Sequence, residues 1–420
     1  MKTIINLSII ILFFSASLFG QTTKHVLFLG NSYTAVNNLP SIVASLALST
    51  GDSLIHNQNL PGGYTLQGHS TNTASLALIQ QGNWDYVVLQ EQSQKPSWPI
   101  SQVISDVFPY AKSLCNSIRQ ANQCAMPLFY MTWGRKNGDS YNCASWPPVC
   151  TYEGMDSLLN LRYQMMADSN DAYVSPVGEV WHYIRDNYPN IELYSADESH
   201  PSMAGSYAAA CAFYSLIFQK DPSLISDNYS LDPTVAANIR SAAKIVAFDS
   251  LAKWNVGKYI PKSHFSSQQN SDTTYFTNQS KFAKSYKWSF GDGTYSNLFE
   301  PSHLYTSTGN YNVILEVFKC GLNDTTSKNI QVTLSSIEII NQPVTSIYPN
   351  PITNQINIQL TNEKSLKNIS LYSVDGRLIE SFGSYKGQSI QIEIDNLVSG
   401  IYLLKFEIEG VIYQYKVVKQ

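Results

Sequence analysis

The sequence predicts an α/β domain followed by two all-β modules. Between residues 24 and 255, apolar runs of strand length alternate with stretches in which apolar residues recur at helical spacing. After residue 258 the helical spacing stops, and polar and apolar residues alternate with period two between turn signals. A chain of 420 residues is long enough for two to four domains.

The apolar runs of the first region predict the strands of a parallel sheet. They are continuous, as expected for strands that helices cover on both faces, so we expect a three-layer α/β domain over residues 21–258. The strand runs are HVLFLG, DYVVLQ, PLFYMTWG and AYVSPVGEV. The helical stretches between them are SIVASLALS, SDVFPYAKSLCNSIRQ, MDSLLNLRYQMMADS and GSYAAACAFYSLIFQ.

Residues 1–20 have the pattern of a signal peptide. Lys2 precedes an apolar run from Ile4 to Phe14, small residues follow, and Gly20–Gln21 is a plausible cleavage point. The run is short for a bilayer span, and no second apolar stretch approaches twenty residues. We therefore expect export, and no transmembrane segment in the mature chain.

Charge and cysteine usage limit the partners. The net charge of −4 provides no broad basic surface, so we expect no nucleic-acid partner. The sequence has neither CxxC pairs nor a Cys/His cluster, and we expect no metal and no cofactor.

Six cysteines in an exported chain favour disulfides. Cys143 and Cys150 bracket the segment ASWPPV, which a bridge could close. Cys115 and Cys124 could join the end of a helix to the next strand. Cys211 lies in an apolar helical run and is expected as a buried free thiol. The remaining cysteine, in the C-terminal half, has no assigned partner.

A candidate nucleophile follows the first strand, in the turn Gly30-Asn31-Ser32. Ligands of parallel α/β sheets bind beyond the carboxyl ends of the strands, where backbone N–H groups can face an oxyanion. A lone serine in such a turn is more often a cap, so Ser32 needs partners elsewhere in the sequence.

Those partners lie before the last helical stretch, in Asp197-Glu198-Ser199-His200-Pro201. The spacing lets the Asp197 carboxylate reach the Nδ1 atom of His200, and Pro201 is expected to start the helix. The alternative is a helix-capping aspartate beside a solvent-facing histidine.

Together, GNS and DxxHP resemble the SGNH/GDSL hydrolase family over residues 24 to 220. The resemblance implies a three-layer, flavodoxin-like fold and acyl transfer without a cofactor. By the same resemblance Ser32 attacks an ester carbonyl, His200 removes and returns the proton, and Asp197 orients His200.

A further block, LPGGYTLQGH, resembles the family's block whose glycine donates a backbone N–H to the oxyanion. The resemblance assigns that donor to Gly63, with Gly62 as the alternative, and adds the N–H of Ser32. A plain turn made by two glycines is the other interpretation.

The next block departs from the family pattern. Where the family has a glycine and an asparagine, this chain has QEQSQ. A glutamine amide can donate the same hydrogen bond, so Gln90 is the first choice for the oxyanion hole, with Gln92 and Gln94 as alternatives. Glu91 is interpreted as a polar loop residue without a role.

The segment TWGRKNGDSYNC follows a predicted strand and contains two candidate substrate-binding residues, Trp133 and Arg135. A surface stacking pair is the alternative interpretation.

The second region, residues 270–335, resembles a PKD domain, a small Ig-like sandwich. The motif is YKWSFGDGTYSNLFEPSHLYTSTGNYNVILEV, in which we interpret His303 as structural.

Residues 346–420 resemble the C-terminal sorting domain of type IX secretion substrates. The resemblance rests on YPNP, the DGR turn, SGIY and the final lysine. The type IX machinery is thus an implied partner, and the cell surface or the medium the implied location.

These resemblances predict a secreted serine esterase that removes small acyl groups, acetyl foremost, from carbohydrate. A lipase or broad carboxylesterase is the alternative within the same class. A non-catalytic glycan-binding surface protein is the alternative from another class.

Overall fold

The computed structural model describes residues 21–270, 272–334 and 343–420, so the predicted signal peptide lies outside the described residues. The first domain contains a parallel sheet in the order β2-β1-β3-β4-β5, the order of flavodoxin-like folds. The predicted α/β class is thus confirmed. Its strands are β1 (Thr23–Leu29), β2 (Ser53–Asn59), β3 (Tyr86–Leu89), β4 (Met126–Tyr130) and β5 (Tyr173–Ser175).

Helices cover both faces of this sheet. They are α1 (Ser32–Ala35), α2 (Leu39–Ser49), α3 (Leu66–Thr71), α4 (Thr73–Gln80), α5 (Ile100–Asp106), α6 (Phe108–Ala121), α7 (Tyr152–Ser169), α8 (Val177–Asn187), α9 (Met203–Phe218) and α10 (Pro233–Ala243). Within the described residues, no helix is long and apolar enough to cross a membrane.

Two of the predicted strand runs extend too far. The run PLFYMTWG is a strand only as far as Tyr130, and AYVSPVGEV only from Tyr173 to Ser175. Pro176, which has no N–H to continue the ladder, caps α8, so the remainder of the second run is helical.

Helix α9 lies in the middle of the domain. Every residue from Ala204 to Phe218 is buried, because α9 packs against α2, α8 and α10. A helix that is apolar on all sides needs such a position. The loop that precedes α9, which carries Asp197 and His200, is therefore attached to a buried helix.

The second region is a sandwich of two antiparallel sheets, ordered β10-β7-β6 and β12-β11-β8-β9. Its first strand begins at Phe265, ahead of the predicted start at residue 270, because Phe265 is buried against Trp288. The strands are β6 (Phe265–Asn270), β7 (Thr273–Asn278), β8 (Ser285–Ser289), β9 (Tyr295–Ser296), β10 (Ser302–Leu304), β11 (Gly309–Lys319) and β12 (Leu322–Val332). His303 stacks on Phe290, with ring centroids 4.1 Å apart, and binds Asp292.

One disulfide joins the α/β domain to the sandwich. Cys124 is bonded to Cys320, so the predicted pairing of Cys124 with Cys115 is wrong. Cys115 is a buried free thiol because it lies on the core-facing side of α6. Cys143 and Cys150 are bonded to each other as expected, and Cys211 is free and buried.

Removing the bond between the domains is expected to destabilise the protein more than removing the local one. The two bonds span 196 and 7 residues of sequence. The chain-entropy relation gives about 5 kcal/mol for Cys124→Ser with Cys320→Ser, and about 2 kcal/mol for Cys143→Ser with Cys150→Ser. Guanidinium unfolding of both double variants measures the difference. Equal losses in the two variants would contradict the entropic argument.

The last unit, Leu334–Gln420, has its own apolar core. Its sheet has the order β13-β14-β16-β17, with β15 paired to β14. Glu409 and Gly410 both have positive φ, as a tight hairpin turn requires. The strands are β13 (Val344–Tyr348), β14 (Gln355–Ser373), β15 (Leu378–Glu393), β16 (Gly400–Ile408) and β17 (Val411–Lys419).

Candidate active site

The candidate nucleophile begins a helix just after the carboxyl end of strand β1. Ser32 is the first residue of α1, and Asn31 caps this helix by accepting a hydrogen bond from the N–H of Tyr33. The Asn31 amide donates to the carbonyl of Tyr64 at 2.9 Å. The cap therefore also holds the segment that follows Gly63 against the nucleophile turn.

The side chain of Gln90 is hydrogen-bonded to this turn, and it is not the oxyanion donor that the sequence predicts. Its side chain is fully buried, and Oε1 accepts from the N–H of Asn31 at 3.1 Å and the hydroxyl of Thr34 at 2.7 Å. Its Nε2 atom donates to Asn31 Oδ1 and to the carbonyl of Glu91. A Cβ on Gly30 would lie 2.7 Å from Gln90 Oε1, so only glycine allows this close approach.

The loop before α9 places an imidazole against Ser32. His200 Nε2 lies 2.8 Å from Ser32 Oγ, and His200 Nδ1 is bonded to Asp197 Oδ2. Since Nδ1–H donates to the carboxylate, Nε2 is left as the acceptor for the serine hydroxyl. The structure thus brings together all three residues of the predicted triad.

Backbone groups fix the Asp197 carboxylate. Its Oδ1 atom accepts from the N–H of Ser199 at 3.1 Å and of His200 at 2.9 Å. Burial alone would raise the pKa of Asp197, but the hydrogen bonds from the side chain and backbone of His200 outweigh it and keep the pKa below its usual value. The carboxylate therefore stays ionised beside the imidazole.

The helix after this loop begins later than the sequence suggested. Ser202 is the N-cap of α9, and its hydroxyl accepts from the N–H of Gly205, while Pro201 pairs with Tyr194 in an isolated bridge. Glu198 adopts a left-handed conformation with φ of 60°. The tight turn holds Asp197 and His200 on one side of the loop.

Trp133 is part of a buried aromatic column and does not line a binding surface, which corrects the prediction. Its ring stacks on Trp181 at 3.7 Å and on Tyr33 at 4.8 Å, and none of it is exposed. Its indole N–H donates to the carbonyl of Ser199, and the Tyr33 hydroxyl bonds to Ser199 Oγ at 2.6 Å. The column thus ties the nucleophile turn to the loop of His200.

The two backbone N–H groups that the sequence predicts as oxyanion donors form no hydrogen bond among the described residues. Among the described residues, no acceptor is bonded to the N–H of Ser32 or of Gly63. Gly63 has φ of +66°, and a Cβ there would meet no atom within 4 Å, so backbone conformation and not space favours glycine. Gly62 has no positive φ in the structure.

The other two glutamines, Gln92 and Gln94, each use one hydrogen of the side-chain amide in a hydrogen bond. Gln94 Nε2 donates to Asp139 Oδ2 at 2.9 Å, and Gln92 Nε2 donates to Gln94 Oε1 at 3.1 Å. Gln92 is partly exposed, and its second Nε2 hydrogen has no acceptor among the described residues. Gln94 is partly exposed too, and its second Nε2 hydrogen likewise has no acceptor among the described residues, so both glutamines keep one side-chain donor.

Arg135 lines an open cleft of about 310 Å³ beside His200. Its guanidinium lies 3.5 Å from the buried carboxylate of Asp139, and its Nε atom is buried without a partner among the described residues. The cleft is lined by Arg135, Asn137, Gly138, Ser140, Asp197, Glu198, Ser199 and His200. Nearly all of these residues are polar.

Sequence reasoning missed Tyr33 and Glu91. Tyr33 follows the serine directly and is stacked in the aromatic column, a role that only the fold reveals. Glu91 was interpreted as a loop residue, yet its side chain is fully buried. In the described part of the chain, no group of three or more His, Cys, Asp or Glu side chains is placed to hold a metal ion.

Two family models match the C-terminal half. Residues 264–334 match the PKD domain, and residues 346–420 match the secretion system C-terminal sorting domain. The curated proteins contain no match to the sequence.

Solved structures resemble separate parts of the chain. A DUF4886 family protein from Bacteroides uniformis is 16% identical over 55% of this chain and 95% of its own, with a TM-score of 0.47. A candidate SGNH hydrolase from Slackia heliotrinireducens is 27% identical over 46% of this chain and 97% of its own, with a TM-score of 0.38. The PKD1 domain of Vibrio anguillarum Epp is 31% identical over 18% of this chain and 95% of its own, with a TM-score of 0.17.

The two family matches bear on location as well as architecture. The sorting domain at the end of the chain directs proteins through a secretion system to the cell surface or the medium. After its flavodoxin-like α/β domain, the sequence therefore continues with a PKD domain and a type IX secretion C-terminal sorting domain.

Proposed function

We propose that the α/β domain is a serine hydrolase of the SGNH/GDSL type that cleaves carboxylic esters through an acyl-enzyme on Ser32. The proposal is carried by the position of the His200 imidazole. Its Nε2 atom lies 2.8 Å from Ser32 Oγ, and its Nδ1 atom is bonded to the Asp197 carboxylate. A serine hydroxyl needs such a base to become a nucleophile, and the base needs a partner that fixes its tautomer.

The reaction proceeds in two halves. Ser32 Oγ adds to the ester carbonyl while His200 Nε2 takes the hydroxyl proton, and the carbonyl oxygen becomes an oxyanion facing the free N–H groups of Ser32 and Gly63. Collapse breaks the bond to the alkoxy oxygen, which takes the proton from His200 and leaves as an alcohol. Water then repeats the sequence, releasing the carboxylic acid and restoring Ser32.

The surroundings of the triad favour a polar alcohol as the leaving group. The cleft beside His200 is lined by polar side chains and presents hydrogen-bonding groups of Arg135 and Asn137. Hydroxyl-rich ligands suit such a surface better than acyl chains do. With export through the sorting domain, this supports a small acyl ester, acetyl foremost, on an extracellular carbohydrate as the substrate.

Product release from defined substrates tests this proposal. The mature chain, residues 21–420, is expected to release acetate from acetylated xylan or pectin, and to hydrolyse p-nitrophenyl acetate far faster than p-nitrophenyl palmitate. A preference for the palmitate would instead support the lipase alternative. Saturable binding of the polysaccharide with no acetate released, unchanged by Ser32→Ala, would support the glycan-binding alternative.

A further inference from the structure

Glu91 places a buried carboxyl group between two loops of the candidate site. Its side chain is 0% exposed. Oε1 accepts from the N–H of Gln92 at 2.7 Å, and Oε2 accepts from the N–H of Leu66 at 3.2 Å. Leu66 is the first residue of α3 and lies three positions after Gly63. One carboxyl group thus joins the turn of Gly63 to the loop of Gln92.

The backbone of the same residue contacts two further elements. Its carbonyl accepts from Gln90 Nε2 at 3.1 Å and from Asn31 Nδ2 at 3.4 Å. Its N–H donates to the hydroxyl of Tyr163 on α7 at 3.3 Å. Glu91 is therefore bonded to the nucleophile turn as well as to both loops that offer oxyanion donors.

We propose that Glu91 is a positioning residue, whose ionised carboxylate holds the Gly63 turn and the Gln92 loop in the geometry that oxyanion stabilisation at Ser32 requires. The proposal rests on the function proposed above. A buried polar group that served only to fill space would be costly, and two N–H donors aimed at one side chain need two acceptor oxygens. A carboxylate supplies both, whereas a glutamine would turn one N–H₂ group towards a donor.

The charge state of Glu91 is expected to vary near neutral pH. Burial raises the pKa of this carboxyl to about 7, against the lowering effect of the N–H groups of Gln92 and Leu66 and of the Lys95 charge. From α7, the titratable group that faces it is the Tyr163 hydroxyl, whose own pKa is raised by burial. Below about pH 7 the carboxyl gains a proton, one oxygen becomes a donor, and its bond to an N–H weakens.

The first test is the pH dependence of p-nitrophenyl acetate hydrolysis by the mature chain and by Glu91→Gln. We expect kcat to fall by about 10- to 100-fold with KM nearly unchanged, since small displacements at a reacting centre have effects of this order. Since only the wild type can protonate Glu91, its kcat/KM should fall at acid pH with the uptake of one proton more than that of the variant.

Asp52→Asn is the matched control. This carboxylate is also buried, and it bonds to the N–H of Thr22 and to Lys220 at the opposite end of the sheet. The variant is expected to lose stability while keeping the kcat of the wild type and the same fall of kcat/KM at acid pH. The positioning role would be overturned if Glu91→Gln kept a kcat within about twofold of wild type and the same fall of kcat/KM at acid pH.

Amide hydrogen exchange separates this inference from the proposed function. Exchange at the N–H of Leu66 or of Gln92 should accelerate at least about tenfold in Glu91→Gln at constant pH, because the glutamine amide offers one acceptor oxygen to two donors. Unchanged exchange would overturn the proposal without reference to activity. If the wild type were inactive and exchange were still faster in the variant, the proposed esterase activity would be contradicted. The role of Glu91 in holding the two loops would still be supported.

Discussion

Replacing Ser32 by alanine is expected to lower kcat for p-nitrophenyl acetate by at least about 1000-fold. The variant removes the hydroxyl oxygen that lies 2.8 Å from His200 Nε2. Without a nucleophile, the remaining backbone donors can stabilise charge only for attack by water. Steady-state kinetics and the loss of a pre-steady-state acyl-enzyme burst measure the effect. His200→Ala should lose a comparable factor, because the two residues act as one unit.

Ser45→Ala is the control for that experiment. Its hydroxyl donates to the Asp227 carboxylate at 2.6 Å, so the variant also removes a serine paired with a polar partner, away from the candidate site. We expect its kcat to stay within about twofold of wild type, as is usual for substitutions that touch no reacting group. Full activity in Ser32→Ala would refute the acyl-enzyme mechanism, whatever the activity of His200→Ala.

The sequence was sufficient to predict which residues meet at the triad because their positions follow from simple rules. Ser32 lies just after the carboxyl end of strand β1, and His200 lies three residues before the buried helix α9. The order of elements in an α/β fold therefore places both at one edge. The three-residue spacing of Asp197 and His200 then lets the carboxylate bond to the imidazole within one turn of the loop.

The direction of the supporting side chains could not be predicted in the same way. Gln90 and Gln92 both follow β3, yet the first points into the core and the second towards the surface. Trp133 stacks beneath Tyr33 because Trp181, on a helix some fifty residues later, provides the other face of the column. The direction of each of these side chains depends on packing partners from distant parts of the chain. The periodicity of the sequence does not identify those partners.

The disulfide between the domains illustrates the same limit. Cys115 and Cys124 are close in sequence, and the local pairing was the natural expectation. Helical periodicity places Cys115 beside Ala111 and Ile118 on the buried side of α6, however, where Cys124 cannot reach it. The actual partner, Cys320, belongs to a different domain, and its proximity follows from domain contacts alone.

Asp197→Asn is expected to lower kcat by about 1000- to 10,000-fold while leaving the fold intact. Oδ1 of the native residue accepts from the N–H groups of Ser199 and His200, so the carbonyl oxygen of an asparagine must occupy that position. Its N–H₂ group then faces His200 Nδ1 and donates to it. The imidazole must carry its own hydrogen on Nε2, which can no longer accept the proton of Ser32.

Because the tautomer of His200 determines whether Nε2 can accept a proton, two variants of Asp197 should behave differently. Asp197→Ala leaves the imidazole free to adopt either tautomer, so it should retain more activity than the isosteric asparagine, although it removes more hydrogen bonds. Kinetics at several pH values and ¹⁵N spectra of the His200 ring distinguish the two variants, and Asp186→Asn, next to the partly exposed His182, is the matched control. If Asp197→Asn kept a tenth or more of the wild-type kcat, the carboxylate could not be what fixes the tautomer. The observed bond between Asp197 and His200 would then serve only to hold the loop.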